Sequence, residues 1–98
     1  GKEDLNQILD LLLSQVRGRL SEQGITLEVS DEVRELLLRE GFDEEYGARP
    51  LRRTIQNYVD DVLADAVLAG ALVSGQTASL VLRDDQVALE SQPIIQSA

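Results

Sequence analysis

The sequence predicts an α+β domain in which three helices pack against a small three-stranded sheet. Three stretches place apolar residues at the helical period, and each of them runs into a glycine, at Gly24, Gly41 and Gly70. Two further stretches, 25–29 and 77–90, alternate apolar and polar residues as strands do. A lone hairpin is marginal in water, so the strand at 25–29 is expected to complete the sheet.

The three helices are expected at residues 4–23, 31–40 and 50–69. The first carries a stripe with the spacing of one helix face, formed by Leu5, Ile8, Leu9, Leu12, Leu13, Val16 and Leu20. Ser30 suits the N-cap of the second helix, because its hydroxyl can accept a bond from a free N–H group. Pro50 suits the first position of the third helix, where its missing N–H group costs nothing.

The strands are expected at 25–29, 77–83 and 86–90, with a turn at Asp84-Asp85 joining the last two into a hairpin. Residues 1–90 would therefore form one domain. Residues 91–98 carry no pattern and are predicted to be a flexible tail. The chain contains no methionine, although a primary translation product begins with one, and we expect it to be an excised domain of a larger protein.

Composition narrows the range of functions. A chain of 98 residues suits a single core. Its 18 acidic residues against 9 basic ones argue against nucleic-acid binding. No apolar run approaches the roughly 20 residues needed to span a membrane. The lack of cysteine and histidine removes thiol nucleophiles, serine–histidine triads and the usual zinc sites.

Three of the nine basic residues, Arg49, Arg52 and Arg53, cluster at the start of the third predicted helix. A helix N-terminus carries about half a positive charge, so stability alone would favour acidic residues there. Arg49 lies between Gly47 and Pro50, which fix a corner of the chain. An arginine held in this way suits a phosphate that is presented from outside.

Other roles remain open for the neighbours of Arg49. Arg52 and Arg53 can pair with the acidic run 43–45, lie solvated, or contact another subunit. Phe42 and Tyr46 flank this acidic run and are expected to anchor its loop. No Gly-x-x-x-x-Gly-Lys-Ser/Thr loop is present, so the chain alone should neither cradle phosphates, bind a metal nor hydrolyse a nucleotide.

The motif Gly-Ala-Arg-Pro-Leu-Arg-Arg at 47–53, after Gly41-Phe42-Asp43-x-x-Tyr46, resembles the sensor-2 motif of Clp-type AAA+ protein unfoldases. The likeness covers about residues 4–90 and includes Gly24-Ile25-Thr26-Leu27-Glu28 in register. It is to the small C-terminal domain that follows the second ATPase core, as in the ClpB and ClpC branches. This sequence has Phe42, Glu44 and Val62 where family members often have tyrosine, proline and proline.

The resemblance implies that Arg49 is the sensor-2 arginine and reaches the phosphates of ATP bound on the preceding large domain of the same chain. It further implies that Ala48, Ile8 and Leu12 lie beside the nucleotide, with the adenine near the start of the first helix. ATP or ADP with Mg²⁺ would belong to the parent protein, an ATPase, and the isolated domain would bind neither stably.

The partners implied by the resemblance are the large AAA+ domain, neighbouring subunits of a homo-hexamer and protein substrates, and it leaves open a Clp-type protease. It implies no nucleic acid and no membrane, and a location in the bacterial cytoplasm or the plastid stroma. The alternative is an acidic interaction or assembly module, without nucleotide, whose arginine cluster binds the carboxylates of a partner.

Overall fold

A computed structural model describes residues 2–92 and confirms the predicted α+β class. Its elements in chain order are α1 (Lys2–Glu22), β1 (Thr26–Val29), α2 (Asp31–Glu40), α3 (Leu51–Ile55), a π-helical segment (Gln56–Asp60), α4 (Asp61–Leu68), β2 (Thr77–Arg83) and β3 (Gln86–Gln92). The last three helical segments are continuous and are called here the third helix. No helix within residues 2–92 has the length and apolar character needed to cross a membrane.

The sheet has the strand order β1-β2-β3, with β1 parallel to β2 and β2 antiparallel to β3. Parallel neighbours need a long connection, and here α2 and the third helix supply it. The predicted hairpin is confirmed, with Asp84 and Asp85 at φ 52° and 61° in its turn. The last strand was predicted to end at residue 90, but it continues for two more residues, and Gln92 pairs with Thr77. The remainder of the predicted tail, 93–98, lies outside the described residues.

The core lies between the sheet and the helices. From α1 it takes Leu9, Leu12, Leu13, Val16 and Leu20; from β1 and β2 it takes Leu27, Ala78 and Leu80; from the third helix it takes Leu51, Ile55, Val59 and Leu63. Burying each leucine, isoleucine or valine side chain contributes about 1.5–3 kcal/mol to stability. The predicted stripe of α1 is therefore largely confirmed, but Ile8 is 39% exposed.

Polar contacts tie α1 to its neighbours. The Arg34 guanidinium of α2 lies 2.7 Å from a carboxylate oxygen of Asp10 in α1. Arg17 of α1 donates from Nε to the carbonyl oxygen of Leu27 in β1, at 3.3 Å. These contacts link the first helix to α2 and to β1.

Gly41 ends α2 as predicted, but the reason is a close approach. Its N–H group donates to the carbonyl of Leu37 at 2.8 Å, and its φ is −90°, which any residue adopts. A Cβ atom at this position would lie 2.7 Å from the Leu37 carbonyl oxygen and 2.9 Å from Cα of Leu51, and would also collide with the Leu51 side chain. Glycine thus lets the end of α2 pack directly on the start of the third helix.

We predict that Gly41→Ala lowers the free energy of unfolding by about 1–3 kcal/mol, the usual cost of overpacking. Gly18→Ala is the matched control, because a Cβ on Gly18 in α1 would meet no atom within 4 Å. That change should stabilise the chain by up to about 1 kcal/mol through helix propensity. Urea denaturation of both variants checks the two opposite signs, and a neutral Gly41→Ala would contradict the close approach.

Candidate functional site

The loop between α2 and the third helix closes on itself at residues 43–47. The backbones of Asp43 and Gly47 exchange two hydrogen bonds, of 2.8 and 2.6 Å. The Asp43 carboxylate also accepts from the N–H groups of Glu45 at 2.7 Å and Tyr46 at 3.1 Å. Gly47 has φ +65°, a left-handed conformation that favours glycine. The loop is therefore held by its own backbone and by one aspartate.

The chain turns from this loop into the third helix at Ala48 and Pro50. The Leu51 N–H group donates to the Ala48 carbonyl at 3.0 Å. The Pro50 carbonyl accepts from both the N–H group and the hydroxyl of Thr54, each at 3.0 Å. Pro50 has helical angles, φ −70° and ψ −11°, but α3 begins at Leu51, one residue later than predicted. A difference of one residue is within the usual spread between definitions of a helix end, which commonly differ by one or two residues.

Arg49 lies at the corner between the loop and the helix and has an exposed side chain. Its N–H group donates to the Tyr46 carbonyl at 3.3 Å, and its Cζ atom lies 6.0 Å from the centroid of the Tyr46 ring. No carboxylate among residues 2–92 forms an ion pair with its guanidinium. The charge of Arg49 is thus presented to the outside of the domain.

Arg52 and Arg53 are also exposed, and neither pairs with the acidic run 43–45 within the described chain. Of the alternatives considered for them, the pairing with residues 43–45 is not found in residues 2–92, and their exposure fits the solvated alternative. Arg52 lines a small cleft of about 90 Å³, together with the Arg19–Asp60 ion pair, whose atoms are 3.1 Å apart.

An open groove of about 1060 Å³ lies between the start of α1, α2 and the 42–48 loop. Its lining combines apolar and charged side chains and consists of Asp4, Leu5, Asn6, Ile8, Asp31, Arg34, Glu35, Leu38, Arg39, Phe42, Gly47 and Ala48. Two residues predicted beside a nucleotide, Ile8 and Ala48, meet in this groove. Arg49 follows Ala48 directly in the sequence but is not itself a lining residue of the groove.

Leu12 lies elsewhere. It is 8% exposed and lines the small cleft with Arg52, not the groove. Ile8 and Ala48 thus line the same groove, whereas Leu12, one helical turn after Ile8, belongs to the buried core stripe of α1. Its predicted role beside a nucleotide stays a prediction.

The predicted anchoring of the loop by Phe42 and Tyr46 is wrong. Their side chains are 47% and 56% exposed, and Phe42 lines the groove. The residue that holds the loop is Asp43, which sequence reasoning took for part of a solvated acidic run. Aspartate side chains commonly bond the backbone two or three residues further on, so an Asp four residues before a Gly was the available signal.

This fold, with a Gly-Ala-Arg-Pro corner leading into its third helix, is that of the small C-terminal domain of a Clp-type ATPase. The chain belongs to the family described as the C-terminal, D2-small domain of ClpB protein, whose model matches residues 1–80. The predicted resemblance to the small C-terminal domain of Clp-type ATPases is thereby confirmed.

Similar proteins bear chaperone names. The chain is 47% identical over 83 residues to chaperone protein ClpD, chloroplastic, of Arabidopsis thaliana, covering 85% of this chain and 9% of that protein. It is 41% identical over 83 residues to chaperone protein ClpB of Aquifex aeolicus, covering 85% and 8%. It is 48% identical over 79 residues to ClpB of Propionibacterium freudenreichii, covering 81% and 9%. The chain thus spans less than a tenth of the length of these relatives.

Proposed function

We propose that this chain is the sensor-2 and lid domain of an ATP-dependent Clp-type chaperone. In this proposal Arg49 reaches the phosphates of ATP bound on the preceding large domain of the same chain. The observation that carries the proposal is the exposure of the Arg49 side chain and its lack of an ion pair within residues 2–92. Arg49 also follows a loop closed by two backbone hydrogen bonds.

Arginine suits this task chemically. Its planar fork of N–H donors matches two phosphate oxygens at once, and its charge persists at every physiological pH. An internal carboxylate partner would have to be displaced first, and Arg49 has none in the described chain. Its backbone is held on both sides, by the closed loop and by the Pro50 carbonyl, which accepts two bonds from Thr54.

The groove lined by Ile8 and Ala48 supports a binding position for the adenine base of the nucleotide. Ile8 is 39% exposed and lines this groove, as does Ala48, which lies immediately before the arginine in sequence. An apolar surface next to a phosphate-binding cation fits the two parts of a nucleotide, since the flat base is apolar on its faces. In the assembled protein the large domain would supply the phosphate loop and Mg²⁺ and close the groove.

The third helix would couple the nucleotide to movement. It begins beside Arg49 and runs through the core to Leu68, so a pull on Arg49 acts on the whole domain. ATP would draw the small domain toward the large one, and hydrolysis would release it. In a homo-hexamer, contacts with neighbouring subunits, for which Arg52 and Arg53 are available, would turn this motion into pulling on protein substrates. The proposal leaves a Clp-type protease open as a further partner. The parent protein would reside in the bacterial cytoplasm or the plastid stroma, which is consistent with relatives that include bacterial ClpB and chloroplastic ClpD.

The test is photolabelling of the full-length protein with 8-azido-ATP. We predict that the label appears on peptides that contain Ile8 or Ala48. The 98-residue chain alone should bind nucleotide more weakly than micromolar and remain unlabelled, because the phosphate loop and metal belong to the other domain.

Two variants of α1 make the labelling test specific. Ile8→Asp places a carboxylate against the base, and an unpaired polar group in such a contact costs about 1–3 kcal/mol, or roughly 5- to 150-fold in labelling. Leu11→Asp is the matched control, because Leu11 is 60% exposed on the same helix but does not line the groove. Equal labelling of the two variants, or unlabelled groove peptides in a protein that turns over ATP, would contradict the nucleotide site and favour an acidic interaction module.

A further inference from the structure

The ring of Tyr46 lies beside the guanidinium of Arg49. The 6.0 Å between Cζ and the ring centroid is at the outer limit of cation–π attraction. Tyr46 is 56% exposed, so its ring is not part of the core. Its backbone is nevertheless fixed, because its N–H group donates to Asp43 and its carbonyl accepts from Arg49.

From this geometry we propose that Tyr46 is a positioning residue for Arg49, and the proposal rests on the sensor function proposed above. The ring restricts the arginine to the conformations that present it outward from the corner of the loop. Arg49 itself makes the contact with phosphate, and Tyr46 acts only through it.

Two properties of the pair support this role. Arginine has a long side chain with many rotamers, and ordering it before the ligand arrives removes part of the cost of binding. A guanidinium over an aromatic face leaves the N–H donors at its edge available for hydrogen bonds. A carboxylate partner would order the side chain equally well but would occupy those donors and oppose the phosphate charge.

The closed loop explains how the pair is kept together. Gly47 has φ +65°, and the two bonds between Asp43 and Gly47 reverse the chain between the ring and the arginine. The positions of Tyr46 and Arg49 are therefore set by local hydrogen bonds, independent of packing in the core. A change of the Tyr46 side chain should leave the loop itself intact.

The first measurement is made on the 98-residue chain by NMR. The aromatic ring should shift the Arg49 Hδ resonances upfield, and Tyr46→Leu should abolish that shift. Tyr46→Phe retains the aromatic face and should preserve it. Amide resonances of the β2–β3 hairpin should be the same in both variants, which shows that the fold is retained.

The second measurement is ATP hydrolysis by the full-length protein. Tyr46→Leu should raise the KM for ATP about two- to fivefold, the effect expected from losing an exposed cation–π contact. Tyr46→Phe should stay near the parent value. In an Arg49→Ala background Tyr46→Leu should have no further effect, because the two residues act as one unit.

The outcomes separate the two proposals. Unchanged Arg49 resonances in Tyr46→Leu, or an equal effect of Tyr46→Leu with and without Arg49, would overturn the positioning role alone. A different outcome is that the Arg49 resonances respond to Tyr46→Leu but Arg49→Ala leaves ATP hydrolysis unchanged. The contact between Tyr46 and Arg49 would then be supported, and the sensor function would be contradicted.

Discussion

Replacing Leu51 with alanine should lower the free energy of unfolding by about 2–5 kcal/mol. Leu51 is 1% exposed, belongs to the core cluster and lies against Gly41 at the junction of α2 and the third helix. Its removal leaves a cavity that cannot collapse easily, because backbone bounds it on one side. Domains of this size have about 5–15 kcal/mol in total, so the loss is a large fraction of the stability. Urea denaturation of the 98-residue chain gives the value directly.

Leu68→Ala is the matched control for this prediction. It makes the same chemical change in the same helix, but Leu68 is 85% exposed. Its effect should stay within about 0.5 kcal/mol of zero. In thermal unfolding each lost kcal/mol corresponds to a fall of about 4–8 °C in Tm for a domain of 60–100 residues. Similar losses in the two variants would show that the core does not extend to Leu51.

The periodic parts of the fold were predictable from the sequence. The stripe of α1 and the alternation of the hairpin are local signals, because each reflects one element packing one face. The glycine after each helix is also a local signal, because it reflects the conformation of the helix end. Those signals do not show which distant backbones meet. Gly41 was correctly placed at the end of a helix, but its contact with Leu51 joins two elements and has no local signature.

The π-helical segment was not predicted. Ile55, Val59 and Leu63 are buried at successive spacings of four, and the Asp61 N–H group donates to the carbonyl of Gln56, five residues earlier. A normal helix and a wider turn bury nearly the same residues over such a short distance. Apolar periodicity therefore identifies the third helix but cannot reveal its local widening.

The candidate site was predicted in part, for an electrostatic reason. Arg49 could be recognised because a cation at a helix start opposes the helix dipole, so its presence indicates a role other than stability. The exposure of Phe42 and Tyr46 could not be recognised, since aromatic residues are usually well buried. Only the hydrogen bonds of Asp43 show that the loop is held without them.

Arg49→Ala should have opposite consequences in the domain and in the full-length protein. In the 98-residue chain it should be neutral or stabilise by about 0.3–1 kcal/mol, because a cation leaves the positive end of a helix and no ion pair with residues 2–92 is broken. The loss of the Tyr46 contact, about 0.5–1 kcal/mol at an exposed site, works against this gain and keeps the sum small.

In the full-length protein Arg49→Ala should impair ATP hydrolysis, nucleotide-dependent assembly or both. Each charge-assisted hydrogen bond to phosphate is worth about 1.5–3 kcal/mol, or roughly 10- to 150-fold. Arg83→Ala is the control, since Arg83 is an exposed arginine of the hairpin whose pair with Glu90, at 2.8 Å, should contribute little. Arg52→Ala and Arg53→Ala should have smaller effects unless they lie between subunits. If Arg49→Ala unfolds the 98-residue chain and leaves hydrolysis unchanged, the arginine is structural, because its loss then acts on the fold and not on the bound nucleotide.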